Sequence, residues 1–169
     1  MNTLRIGIDI GGVCAKDSYN YENSDQDQES IINMPNCVSS LEELKKQGHY
    51  LVLVSFCGRK RAENNRRLNL VDHFNESYFV KKRPYKARVC QIRALDVLID
   101  DRSDILATIT KPTVTVKFGR HPSDRFCKYK PDHHVESWEE FLKLVPKLVQ
   151  QRRYRLQERS SLELIPFIY

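Results

Sequence analysis

Asp9, Ser55, Lys86, Asp100, Asp101 and Asp104 have the types and the spacing to work on a phosphorylated ligand. A carboxylate such as Asp9 can attack phosphorus, and a hydroxyl such as Ser55 can donate to a phosphoryl oxygen. Lys86 neutralises the phosphate and the charge that develops in the transition state. Asp9 and Asp100, supported by Asp101 and Asp104, make an oxygen donor set of the kind that holds Mg²⁺. Plainer roles are open to the same residues. Asp9 and Asp100 can cap strand ends, Ser55 and Lys86 can be an ordinary strand-end hydroxyl and a solvated cation, and Asp101 and Asp104 can pair with Arg102 or cap the DRSDILA turn.

Chemistry at such distant positions requires elements that bring them to one edge. LRIGIDI is an apolar strand candidate that ends at Asp9, and Gly11-Gly12 permits a sharp turn after it. HYLVLVSF is almost continuously apolar, as suits a strand covered on both faces, and ends near Ser55. SYFV is a short strand candidate, Pro84 interrupts before a helix that starts near Lys86, and LDVLI is a strand that delivers Asp100 and Asp101. PTVTVKFG supplies a further strand. Helices are expected after Ser39 and Ser40, with Glu42 and Glu43 in a capping box, and over SWEEFLKLVPKLVQQ, with Ser137 and Glu140 as a capping pair and Pro146 as a kink or break. Leu68, Val71 and Phe74 give Arg59 to Phe74 helical spacing.

Strands alternating with helices predict an α/β, three-layer Rossmann-like domain with a mainly parallel central sheet. Its ligands bind beyond the carboxyl ends of the strands, where Asp9, Ser55 and Asp100 all fall. The expected domain covers residues 1–152, with a flap or small insertion at 15–36 and a C-terminal extension at 153–169. The insertion is polar and acidic in its middle, so disorder without a catalytic role is an equal alternative.

At 169 residues the chain has room for one core but not for a large second domain. It has no eighteen-residue apolar run and no signal-peptide pattern, so the expectation is a cytoplasmic protein with no membrane partner. Its five scattered cysteines include no CxxC pair and read as reduced thiols. Cys57 lacks a histidine partner, and FCKYKPDHH, with Cys127, His133 and His134, lacks a four-ligand zinc pattern and reads as a solvent-facing loop. Trp138 is expected to anchor the last helix. The net charge of +6 attracts anions. Basic clusters at Arg59-Lys60-Arg61 and Lys81-Lys82-Arg83 read as a solvated face rather than as a nucleic-acid surface, because aromatic residues do not interleave with them.

The ordered motifs resemble the haloacid dehalogenase-like (HAD) phosphohydrolase superfamily, in a capless or minimally capped form. IGIDIGGV is similar to its first motif, D-x-D-x-[TV], with Asp9 in the place of the nucleophile. LVLVSF with Ser55, RPYKARV with Lys86 and VLIDDRSD with Asp100 and Asp101 are similar to the second, third and fourth, and the resemblance spans Leu4 to Leu106. It implies Mg²⁺, an aspartyl-phosphate intermediate and a phosphorylated small molecule or nucleotide as substrate, with a nucleic-acid phosphate as a further option. In family phosphatases a second aspartate, two places after the nucleophile, serves as general acid and base; Gly11 stands there instead. Loss of such a group costs roughly 10²–10⁴-fold in rate. The chain therefore needs a good leaving group, an acid from the flap such as Asp17 or from the substrate, or a role as a phosphate-binding regulatory or scaffold protein. IGIDIGGV also resembles the first phosphate loop of sugar kinases and actin-like ATPases, whose paired domains need a longer chain.

Overall fold

The computed structural model describes residues 3–18, 30–56 and 70–163. Six strands form one parallel sheet in the order β5-β4-β1-β6-β7-β8. They are β1 (Arg5–Ile8), β4 (Tyr50–Phe56), β5 (Glu76–Val80), β6 (Val97–Asp100), β7 (Val114–Phe118) and β8 (His133–Val135). The hairpin β2 (Ala15–Ser18) and β3 (Ser30–Asn33) pairs antiparallel beside it. Among the described residues the α-helices are α1 (Cys37–Lys46), α2 (Tyr85–Ile92), α3 (Ser103–Leu106) and α4 (Trp138–Glu163). Among the described residues, no helix is long and apolar enough to cross a membrane.

Strand side chains alternate between two faces, and in this sheet both faces are apolar. Ile6, Ile8, Leu51, Leu53, Val97 and Ile99 pack with Leu41 and Leu44 of α1 and with Phe141, Val145 and Leu148 of α4. Val52, Val54 and Leu98 point the other way and meet Cys90 of α2 and Leu106 of α3. Two helical layers thus enclose the sheet, as the near-continuous apolar runs require.

Several local expectations change. The first helix starts at Cys37, behind Asn36 in a left-handed turn (φ 58°), with no side-chain cap. Ser39 and Ser40 lie inside it, because Met34 N–H donates to Cys14 O at 2.7 Å and delivers the chain to the core earlier than the serines suggest. Pro146 does not divide α4. Leu70–His73 is one 3₁₀ turn, since Asn75 N–H must already donate to Leu51 O on the way into β5. His133 and His134 sit in edge strand β8 rather than a loop. Asp132 sets up that pairing by accepting from Thr115 N–H at 2.9 Å, while its own N–H donates to Thr115 Oγ1 at 3.0 Å. Leu68, Cys57, the cations Arg59, Lys60, Arg61, Arg66 and Arg67, and the Asp17 side chain lie outside the described residues.

Glu76 ties the amino end of β5 to its neighbours. Tyr50 Oη donates to it at 2.6 Å, Tyr78 Oη donates at 2.7 Å, and Arg93 pairs with it. The Tyr50 bond, seconded by Tyr78 and Arg93 against partial burial, holds its carboxyl down at about 2 from an ordinary 4.5. A carboxylate whose pKa is depressed on folding stabilises above its unfolded value and loses that contribution as pH falls. Glu76→Gln should therefore cost about 1 kcal/mol at pH 6. The deficit, read by urea denaturation, should shrink as pH drops from 4.5 towards 2; a pH-independent deficit would contradict this account.

Candidate active site

Asp9 follows the last residue of β1. Its N–H donates to Ile99 O of β6 at 3.1 Å, so the sheet holds its backbone in place. The chain then turns tightly: Val13, Cys14 and Ala15 N–H all donate to Ile10 O. Gly12 makes this turn possible. Its φ is +73°, and a Cβ there would lie 2.2 Å from Asp101 Oδ2, so only glycine admits both the backbone and the carboxylate beside it. Asp100 ends β6, fully buried, and accepts Arg102 N–H at 2.9 Å. From the first turn of α2, Lys86 reaches back between the two strand ends. Its ammonium lies 2.8 Å from Asp9 Oδ2 and 2.6 Å from Asp100 Oδ2.

Asp9, Lys86 and Asp100 are buried together, with Asp101 half-buried beside them. Burial alone would lower Lys86, but the charges of Asp9 and Asp100 outweigh it and hold the ammonium above its ordinary range. Burial, then the charge of Asp9, pushes Asp100 up against the opposing pull of Lys86. Burial also raises Asp101, followed by repulsion from Asp100 and Asp9. One oxygen from each of Asp9, Asp100 and Asp101 falls within 4.8 Å of the others, and this is the single such acidic group among the described residues. A lone lysine does not relieve three crowded carboxylates, so the cluster favours a further cation.

Above it lies a polar cavity of about 180 Å³ whose lining includes Asp9, Gly11, Lys86, Asp101, Arg102 and His121. A larger cavity, about 590 Å³, opens at the amino ends of the strands between Arg5, Leu95, Pro112 and Arg152. It is mostly apolar and holds none of the cluster, so the chemistry belongs to the smaller one. Ser55 is buried on β4, whose register with β1 (Ile8↔Leu53) sets it at the same edge. Asp104 does not join the acidic group: both its oxygens engage Arg102, with Nε at 3.1 Å and Nη2 at 2.8 Å. Residues two apart at the start of a short helix meet each other more easily than either meets the strand end. Cys127, His133 and His134 form no metal group with any described residue.

Arg83, Arg102 and His121 also line the cavity, and residue types alone did not single them out. Arg83 and Arg102 flank the lysine and acidic motifs in sequence. His121 carries no such signal, because its place depends on the turn after β7.

No protein-family model and no curated protein sequence matches the chain. Solved structures do. A HAD-superfamily hydrolase from Ehrlichia chaffeensis superposes with a TM-score of 0.64 at 11% identity, over 86% of this chain and 97% of that one. The cobalt-bound deoxy-D-mannose-octulosonate 8-phosphate phosphatase of Haemophilus influenzae gives 0.60 at 12% identity, over 88% and 90%. A predicted phosphoglycolate phosphatase from Haemophilus somnus gives 0.59 at 13%, over 85% and 98%. At these identities the likeness is one of fold: an α/β, Rossmann-like domain with a mainly parallel sheet, as in HAD-superfamily hydrolases.

Removing Lys86 would leave Asp9 and Asp100 facing each other unscreened. Lys86→Met, close in volume, should lower the unfolding free energy by about 3–5 kcal/mol. Adding Asp9→Asn should recover part of the loss. A single variant as stable as the parent in urea would show that the ammonium does not hold the centre together.

Proposed function

We propose that the chain is a Mg²⁺-dependent phosphohydrolase acting through an aspartyl-phosphate on a phosphorylated small molecule or nucleotide. The observation that carries this is the buried lysine shared by two strand-end aspartates, with a third carboxylate crowded against them. The donor set fits a hard divalent ion, since it consists of carboxylate oxygens, with Asp101 raised by burial and then by the charges of Asp100 and Asp9. Asp9, Asp100 and Asp101 would hold Mg²⁺, which supplies Lewis-acid stabilisation to phosphoryl oxygens when bound. Asp104 serves to position Arg102.

The chain's own residues divide the remaining work. Asp9, 2.8 Å from the Lys86 ammonium, attacks phosphorus; its oxygen–phosphorus bond forms as the bond to the leaving oxygen breaks. Lys86 remains charged through the cycle because both neighbours favour its protonated form. It offsets the negative charge that accumulates on the equatorial oxygens. Ser55 donates to one of those oxygens. Water then attacks the phosphorus of the acyl phosphate, releasing inorganic phosphate and restoring the carboxylate.

Gly11 shapes the substrate range. It lines the cavity where a carboxyl would otherwise protonate the leaving oxygen. Acyl and aryl phosphates leave without a proton, so they suit this site better than alkyl esters. The second reading, a phosphate-binding regulatory or scaffold protein, rests on the same glycine.

Two measurements separate these. Mg²⁺-dependent hydrolysis of acetyl phosphate should vanish in Asp9→Asn while phosphate binding persists; binding without turnover in the parent would favour the scaffold. Gly11→Asp should raise turnover of an alkyl phosphate by roughly 10²-fold with little change for acetyl phosphate. No gain for the alkyl ester would place the missing acid elsewhere.

A further inference from the structure

We propose that the cavity above Asp9 contains a second anion subsite, made by Arg102 Nη1 and His121 Nε2–H, and that the substrate is a phosphate ester carrying a further anionic oxygen group. The word substrate rests on the phosphohydrolase reading, whereas the donor pair stands on geometry alone.

Both donors are fixed before any ligand arrives. Arg102 has two of its three nitrogens committed to Asp104, in a planar fork that sets the guanidinium's orientation. Nη1 is left over and faces His121 Nε2 at 3.4 Å. His121 caps the 3₁₀ turn Pro122–Phe126: its Nδ1 accepts Ser123 N–H at 3.1 Å and lies 2.7 Å from Ser123 Oγ. Its own N–H donates to Asp124 Oδ2 at 2.9 Å, and Asp124 is in turn held by Lys117 at 3.0 Å and by Ser103 Oγ at 2.8 Å.

These bonds assign the tautomer. A ring nitrogen that accepts a backbone N–H carries no proton, so the proton of the neutral imidazole sits on Nε2. Burial, then the charge of Arg102, keeps the ring below its ordinary range and therefore neutral. With that tautomer both Nη1 and Nε2 carry hydrogens at a separation of 3.4 Å, and neither has an acceptor among the described residues. Each is immobilised by its other contacts, and both line the cavity. One anionic oxygen set to the side of the pair, within hydrogen-bond reach of both nitrogens, would accept a hydrogen from each.

The rest of the cavity directs such a group to this wall. Asp9 and Asp101 in the same lining repel it, while Arg83 adds a second guanidinium, held 4.6 Å over the Phe56 ring. The fitting chemistry is a phosphate or carboxylate close to the reacting phosphoryl group. A small bis-anion supplies it, and so does a phosphorylated nucleic-acid end through its neighbouring phosphodiester.

Calorimetry with Mg²⁺ present, comparing methylenebisphosphonate with orthophosphate, tests this without turnover. The bisphosphonate should bind at least about tenfold more tightly, as charge-assisted bonds to two donors imply. It should also shift the His121 Nε2 resonance. In His121→Asn, which keeps a good capping side chain, the preference should fall to near unity. Equal affinity in the parent, or a preference that survives in His121→Asn, overturns the subsite. Bisphosphonate preference in a chain that hydrolyses no ester leaves the subsite standing and removes the enzyme; hydrolysis with no preference does the reverse. Within a confirmed subsite, a nucleoside 3′,5′-bisphosphate that binds as well as a 3′-phosphorylated trinucleotide assigns the small bis-anion, and a further gain with chain length assigns the nucleic-acid end.

Discussion

The ammonium of Lys86, shared between Asp9 and Asp100, is the contact on which the site depends. It joins a helix to the ends of two neighbouring strands and lets two buried carboxylates stay close. Without it the sheet edge would hold uncompensated like charges, which proteins avoid by protonation or by opening. With it the edge keeps a local excess of negative charge, because Asp101 remains uncompensated nearby. That imbalance makes Asp9, Asp100 and Asp101 a group that could hold a metal ion.

A sheet of parallel strands buried on both faces supplies the stage. Every strand ends at the same edge, so loops from β1, β6 and β7 and the first turn of α2 meet there. Charges of both signs meet in one small cavity. Asp9 and Asp101 line it together with Arg83, Lys86 and Arg102, and His121 adds a polar ring. A ligand with negative charge at one end only would satisfy half of this arrangement.

The framework was readable because it follows from periodicity. LRIGIDI, HYLVLVSF and LDVLI lack a polar face, as strands covered twice must, and the residues just past them are the ones that gather. What escaped depends on contacts made across turns. The Asp104 fork with Arg102 is an alternative that residue types leave open and geometry resolves. His121 comes to the cavity only because Asp124 and Ser123 hold its turn, and a sequence pattern does not encode that tautomer. The three-residue strand at His133 was hidden because its first two residues are polar. The start of α1 was displaced because a left-handed Asn36 turn, rather than a serine cap, begins it.

One remote contact bears on how the site comes into being. The indole N–H of Trp138 donates to Val13 O at 2.9 Å, a link of 125 residues, and its ring is wedged against Phe118 and Phe141. The loop that follows Asp9 is therefore clamped by the start of the final helix. During synthesis the first strand leaves the ribosome long before that tryptophan exists, so the nascent chain carries Asp9 on an unsecured loop until most of the protein has emerged. This clamp on the loop can therefore close only once the last helix has docked, whereas the strands that bear the carboxylates are made earlier.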